Sequence, residues 1–274
     1  MNQVVKITLP ALLFSISAFS LAADENTEEK TEVALKTNTD IEKITIKGSA
    51  TANTEPVGTF GSSVSNLEYD PRVDLQSRNM AEAQADVTIR GGIFENTGFT
   101  VGSAALLDPQ TGHYVAEIPI AQEMLTNADI LTGVDNALQG VNSSVGTVSR
   151  SWKAIETSGS ASLGAGTNNF NLQRIHSAVS VPVGNTKDWS LGFEGEYSRS
   201  ESDGTIENGD HDFERVSGRI QLAGASSQTD LFFGTQEKFF GWPNLYTPFN
   251  VNETEDIKTK LLILNHKQYY AQDS

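Results

Sequence analysis

The sequence predicts an α+β domain followed by antiparallel transmembrane β-strands that make up an incomplete barrel, and two observations carry that prediction. From about residue 158 onward, apolar and polar residues alternate in long runs, the period of a strand with two unlike faces. Between residues 42 and 155 the chain holds only short apolar runs broken by glycine, as in RGGIFENTG, TVGSAALLD and ILTGVDNALQG, the texture of a compact mixed domain.

The order of the elements begins with an export signal. Met1 to Lys6 is a short positive start, Ile7 to Leu21 is mostly apolar, and Ser20-Leu21-Ala22 supplies small residues for a signal peptidase. Residues 1–22 therefore read as a secretory signal peptide, since the run falls short of the roughly 20 apolar residues of a spanning helix. No later stretch is apolar over a spanning length, so the rest of the chain is soluble or crosses a membrane as strands. Residues 23–41 are charged and short of large apolar side chains, which predicts a disordered acidic linker. Residues 42–49, EKITIKGS, then alternate like a strand with no sequence neighbour to pair with.

Composition excludes several functions. A formal net charge of −16 argues against nucleic acid, because neutralising phosphates takes an excess of lysine and arginine. The absence of cysteine removes thiol catalysis and thiolate metal sites, and suits an exported chain of a Gram-negative envelope. His113, His176, His211 and His266 are far apart, and no Gly-x-Ser-x-Gly, His-Glu-x-x-His or phosphate loop is present. The reading is a non-enzyme with no cofactor and no metal site.

The alternating part divides into six segments, near 158–166, 170–183, 188–200, 212–223, 229–239 and 258–270. Leu191, Phe193 and Tyr197 oppose Ser190, Glu194, Glu196 and Ser198; Val216, Ile220 and Leu222 oppose Arg215, Ser217, Arg219 and Gln221; Ile175, Val179 and Val181 oppose Arg174, His176 and Ser180. Most segments run to about ten residues, the length of a tilted membrane strand. Connections around VGNTK and GASSQ are short, whereas those around SESDGTIENGDHD and GWPNLYTPFNVNETED are long. Short turns at one end and long loops at the other are the pattern of an outer-membrane barrel with apolar residues on lipid and polar ones in the lumen. An antiparallel sandwich also alternates and stays open on pattern alone. Phe239, Phe240, Trp242, Tyr246, Phe249, Tyr269 and Tyr270 fit interface girdles. Glu201, Asp203, Glu207, Asp210, Asp212 and Glu214 carry enough oxygens for a calcium ion but lack the spacing of an EF-hand, which favours a solvated acidic loop over a calcium site.

Two longer stretches resemble the TonB-dependent outer-membrane receptors. ADVTIRGGIFENTGFTVGSAALLDPQTGHYVAEIPI, residues 85–120, is similar to the core of their plug domain: a strand ending in Arg-Gly-Gly, a hairpin, and an Asp-Pro-Gln-Thr-Gly-His turn. ADILTGVDNALQGVNSSVGTVS, residues 128–149, is similar to the strand, glycine, short helix and Gly-rich return that follow in such plugs. The chain departs from the family at the Gly-Pro that often follows the ADILTG strand, and at the Tyr-Gly-Ser that members carry near Leu138 to Asn142.

The resemblance implies a plug over residues 50–155 and the first six or so strands of a barrel, truncated, over 156–274. It places a TonB box at 42–49, with Glu42, Lys43, Ile44, Thr45, Ile46 and Lys47 adding a strand to a TonB-type energy transducer by β-augmentation. It points to plug loops holding Phe94, Glu95, Asn96, Phe99, Asp108, His113 and Tyr114 as the segments nearest ligand. The implied function is energy-coupled uptake of a scarce bulky nutrient, a ferric siderophore or other small metal chelate, or cobalamin, across the outer membrane of a Gram-negative bacterium. Its implied partners are the transducer and outer-membrane lipid, with no nucleic acid. A passive porin, a surface adhesin and a non-functional fragment are the alternatives.

Overall fold

The computed structural model describes residues 64, 67, 70–78, 84–108, 118–139, 143–184, 188–244, 247–249 and 251–270. The stretches read from the sequence as a signal peptide, an acidic linker and a TonB box, residues 1–49, lie outside the described residues.

Three sheets account for the described elements. Strands β1 (Val73–Arg78) and β2 (Gln84–Ile89) form an antiparallel pair, with Val73 opposite Ile89. Strands β3 (Thr97–Val101), β4 (Ala104–Leu106), β5 (Asp129–Leu131) and β6 (Gly146–Arg150) form a mixed sheet in the order β4-β3-β6-β5, in which β3 and β6 run parallel. Strands β7 (Ser158–Ala165), β8 (Asn171–Val183), β9 (Trp189–Ser202), β10 (His211–Gly224), β11 (Ser227–Gly241) and β12 (Thr254–Gln268) form an antiparallel meander in sequence order. The meander is open, and β7 and β12 are its two edges.

The six alternating segments all become strands, most extending one to four residues past the limits that the alternation suggests. Residues 184–188 and 225–226 join the strands at one end of the sheet, and 166–170, 203–210 and 242–253 join them at the other. The longest connections thus share one end, and the two-residue turn after β10 lies at the opposite one.

The short helix that the resemblance implies within 128–149 is not formed among the described residues. Residues Gly133–Asn136 make a 3-10 turn, and the other described helical pieces, Phe94–Asn96 and Gln122–Met124, are 3-10 turns as well. Gly133 enters with a φ of +63°, and the Asn136 side chain is taken up by the Ser143 carbonyl and by the Thr147 hydroxyl at 2.6 Å. An asparagine bonded in this way competes with continued helix. Among the described residues the N-terminal region is therefore β-rich, with no α-helix.

The Arg90-Gly91-Gly92 turn behaves as its composition suggests. Arg90 and Gly91 have φ values of +53° and +72°, and a Cβ on Gly92 would lie 2.7 Å from Val145. One glycine serves conformation and the other serves space.

Two apolar cores result. The first gathers Val64, Leu67, Ala85, Val87, Ile89, Ile130 and Val148 wholly within the N-terminal region. The second joins Val101, Ile120, Ala121, Met124, Leu125 and Trp152 to Phe232 and Ile263 on the inner face of the meander. The second core fixes the N-terminal region to the sheet and so positions the polar groups around it.

Candidate functional site

The register of the meander sorts its side chains into rows. One row runs Val179, Phe193, Ile220, Leu231 and Leu264 across β8 to β12. All five are exposed, Phe193 and Ile220 at 44% each. The adjacent row, one residue along each strand, runs Ala178, Glu194, Arg219, Phe232 and Ile263. Glu194 is 9% exposed and Arg219 only 2%. Apolar side chains face outward and charged ones are buried, the reverse of a water-soluble sheet.

The buried charges satisfy one another. Arg219 donates through Nε and Nη2 to Glu194 Oε2 at 3.0 and 2.6 Å, and through Nη1 to Asp230 Oδ1 at 3.1 Å. Glu194 Oε1 lies 2.9 Å from His176 Nε2. Arg215 makes a two-pronged contact with Glu196, at 3.1 and 2.8 Å, and Arg174 Nε lies 3.3 Å from the same carboxylate. A buried ion holds only where its partners replace lost water, and a fork of this kind does so.

The same wall grips the N-terminal region through its backbone. Arg219 Nη1 and Gln221 Nε2 donate to the Lys153 carbonyl at 2.8 and 2.9 Å, and Ile155 N donates to Gln221 Oε1 at 2.8 Å. Ser217 donates to the Pro119 carbonyl at 2.9 Å, and Arg174 reaches Glu123. Asn265 Oδ1 accepts from Ser103 N and Oγ, both at 3.0 Å, at the tip of the β3–β4 hairpin. Arg219 also stacks over Trp152 at 5.3 Å. Small residues permit the close approach, since a Cβ on Gly234 would lie 2.3 Å from the Pro119 carbonyl oxygen.

The residues expected near ligand fall in different settings. Phe94, Glu95 and Asn96 share one 3-10 turn, with Glu95 exposed and the other two half-buried. Phe99 packs against the first apolar core, and Asp108 sits half-buried past the end of β4. His113 and Tyr114 lie outside the described residues, as do Glu42, Lys43, Ile44, Thr45, Ile46 and Lys47. The inner-wall network was the group that motif reasoning passed over. Its signal was the charge on alternate positions of β9 and β10, which reads first as a wetted lumen.

The aromatic girdle needs a correction at Phe240. This ring is wholly buried on the inner face, because neighbours on a strand point to opposite sides and only Phe239 can share the outer face. Trp189 and Tyr197 lie on the outer face instead. The acidic loop is partly neutralised: Arg199 stands 3.0 Å from Glu201, 3.6 Å from Asp212 and 3.9 Å from Glu214. Among the described residues no three histidine or carboxylate side chains are grouped to hold a metal ion.

No family model matches the chain, and no curated protein matches it. Among solved structures it is similar to the siderophore receptor PirA from Acinetobacter baumannii, at 19% identity and a TM-score of 0.48, over 68% of this chain and 30% of that one. It is also similar to the copper transporter OprC, at 16% identity and a TM-score of 0.49, over 66% of this chain and 29% of that one. The chain thus spans less than a third of the length of either protein.

Proposed function

We propose that β7 to β12 form one arc of a transmembrane β-barrel, that the N-terminal region is the plug within it, and that the complete receptor imports a scarce bulky nutrient with energy supplied through residues 42–47. The observation that supports this reading is the inverted burial of the meander. An outer face bearing Val181, Phe193, Ile220, Leu222, Leu231 and Leu264 would be an aggregation hazard in water, whereas in lipid it is the stable arrangement. From Val183 to Ile175, at about 3.4 Å per residue, is roughly 27 Å of strand. A tilt near 40° brings this to about 21 Å of height, comparable with the ~25 Å apolar band of such barrels. Trp189 and Tyr197 flank that stretch on β9, where amphipathic rings favour the headgroups.

The open edges of β7 and β12 support a larger closed barrel, since unpaired backbone groups in hydrocarbon cost several kcal/mol each. The cargo follows from the family resemblance: a ferric siderophore or other metal chelate, or cobalamin. The TonB-type transducer would take Ile44-Thr45-Ile46 as an added strand, using main-chain hydrogen bonds. An Ile44→Pro receptor tests this step, because proline removes a ladder donor. The variant is expected in the outer membrane at normal amount yet not captured by the isolated periplasmic domain of a TonB-type transducer. Loss of the receptor from the membrane would assign 42–49 to a structural edge strand instead.

A further inference from the structure

The last residues of the N-terminal region, Trp152 to Ile155, touch three strands of the inner face and are gripped in three different ways. The Trp152 ring meets Phe232 of β11 at 5.2 Å and the Arg219 guanidinium of β10 at 5.3 Å. The Lys153 carbonyl accepts from both Arg219 and Gln221, at 2.8 and 2.9 Å. The Ile155 side chain fills the space left by Gly192 of β9, where a Cβ would lie 2.7 Å from that of Ile155. Gln221 does the work of a neighbouring strand. Its amide donates to the Lys153 carbonyl and accepts from Ile155 N at 2.8 Å, as one residue of a parallel strand bonds to the residues on either side of its partner. These donors are themselves locked. Gln221 Nε2 also donates to Asp230 at 2.7 Å, and Arg219 is forked onto Glu194 and bonded to Asp230 with no side-chain exposure. A buried grip of this kind gives way only when its whole network does.

Elsewhere a single wall side chain makes the polar grip on each segment: Ser217 on Pro119, Arg174 on Glu123, and Asn265 on Ser103. Strands β1 and β2 are tied less firmly still. Among the described residues they pair with each other alone, and they meet β5 and β6 through the apolar side chains of the first core. The grips therefore grow stronger along the chain. A pull from the N-terminal side meets β1 and β2 first and the bracket at Trp152 to Ile155 last.

We infer that Trp152 to Ile155 is a mechanical stop, on the reading that residues 42–47 are where the transducer pulls and that β7 to β12 are barrel wall. When the N-terminal region is drawn out from its start, the chain is released as far as Ser151 and stays moored to β9, β10 and β11 beyond it. Single-molecule pulling on the complete receptor in a supported bilayer, from a handle at Lys43→Cys, measures the length released. Residues 43 to 151 correspond to roughly 38 nm at about 3.5 Å per residue, and the trace is expected to halt there. Gln221→Leu, or Ile155→Ala as the milder variant, should lower the force at the halt. Either should also free about 2 nm more, the length of chain left before β7. Release that passes residue 151 in the native receptor without a halt, or a halt that neither variant moves, would overturn the stop. Release running on through β7 and β8 would overturn the barrel wall as well. The halt does not depend on which protein pulls, so it is judged apart from the Ile44→Pro capture result.

Discussion

Strands β2 and β10 both alternate, yet Ala85, Val87 and Ile89 enter a core in the first, whereas Arg215, Ser217, Arg219 and Gln221 are the buried set in the second. The period of a sequence specifies a strand and its two faces, and the solvent decides which face turns inward. The first apolar core obeys the rule for water. The meander has the burial that the proposed lipid setting calls for, and the second core, with Phe232 and Ile263 set among charged neighbours, is where the two patterns meet.

The largest effect expected from disturbing this contrast is at Arg219. Arg219→Met leaves Glu194 and Asp230 buried without their cation, and the loss of stability should be about 3–5 kcal/mol, measured by urea unfolding in liposomes. Adding Glu194→Gln and Asp230→Asn should recover part of it, because apolar or neutral replacement of a whole buried network is tolerated far better than removal of one member.

Ile220→Lys sharpens the contrast from the other face. On lipid, a lysine in this row should cost about 2–4 kcal/mol, while an exposed position in water should change stability by less than about 0.5 kcal/mol. The same unfolding assay decides between them.

Gly234→Ala acts where the two regimes touch. Its Cβ would meet the Pro119 carbonyl at 2.3 Å and the Phe232 ring at 2.6 Å. A cost of about 1–3 kcal/mol is expected, together with faster hydrogen exchange at Ile120 and Met124 and unchanged exchange at Val87 and Ile89. Uniform exchange changes through both cores would show that they open as one unit.

The smallest effect concerns the aqueous part. Arg72 donates to both Asp70 oxygens, at 3.0 and 2.7 Å, and these side-chain bonds hold the Asp70 carboxyl below its ordinary value. A folded-state value below the unfolded one contributes stability above the unfolded pKa, near 4. That contribution disappears as the pH falls through the lowered value. With both groups partly exposed, it should be under about 1 kcal/mol. Arg72→Gln should remove this acid-range dependence, lowering stability at pH 7 by that same contribution, under about 1 kcal/mol, and leaving it nearly unchanged in acid.

The strands of the meander were legible because long alternation has few competing explanations. Leu191, Phe193 and Tyr197, and the residues opposing them, stand on the faces that the spacing assigns. The short helix implied by the resemblance within 128–149 gives way to a 3-10 turn at Gly133–Asn136, because the side-chain bonds of Asn136 to Ser143 and Thr147 are made only once β6 is in place. Phe99 was assigned to a ligand-side loop by the resemblance alone, and it lies on β3 and packs against the first core. The Glu194, Arg219 and Asp230 cluster was beyond reach for another reason: it depends on the cross-strand register of three strands, which no local stretch contains.

Spin labelling of the cysteine-free chain at Ile220→Cys and Gln221→Cys, in reconstituted bilayers, tests the lipid-facing wall most directly. Collision with dissolved oxygen and with a water-soluble nickel chelate would be compared at the two sites. The account predicts high oxygen and low nickel access at residue 220, and low access to both at residue 221. High nickel access at residue 220 would contradict it and return the meander to water.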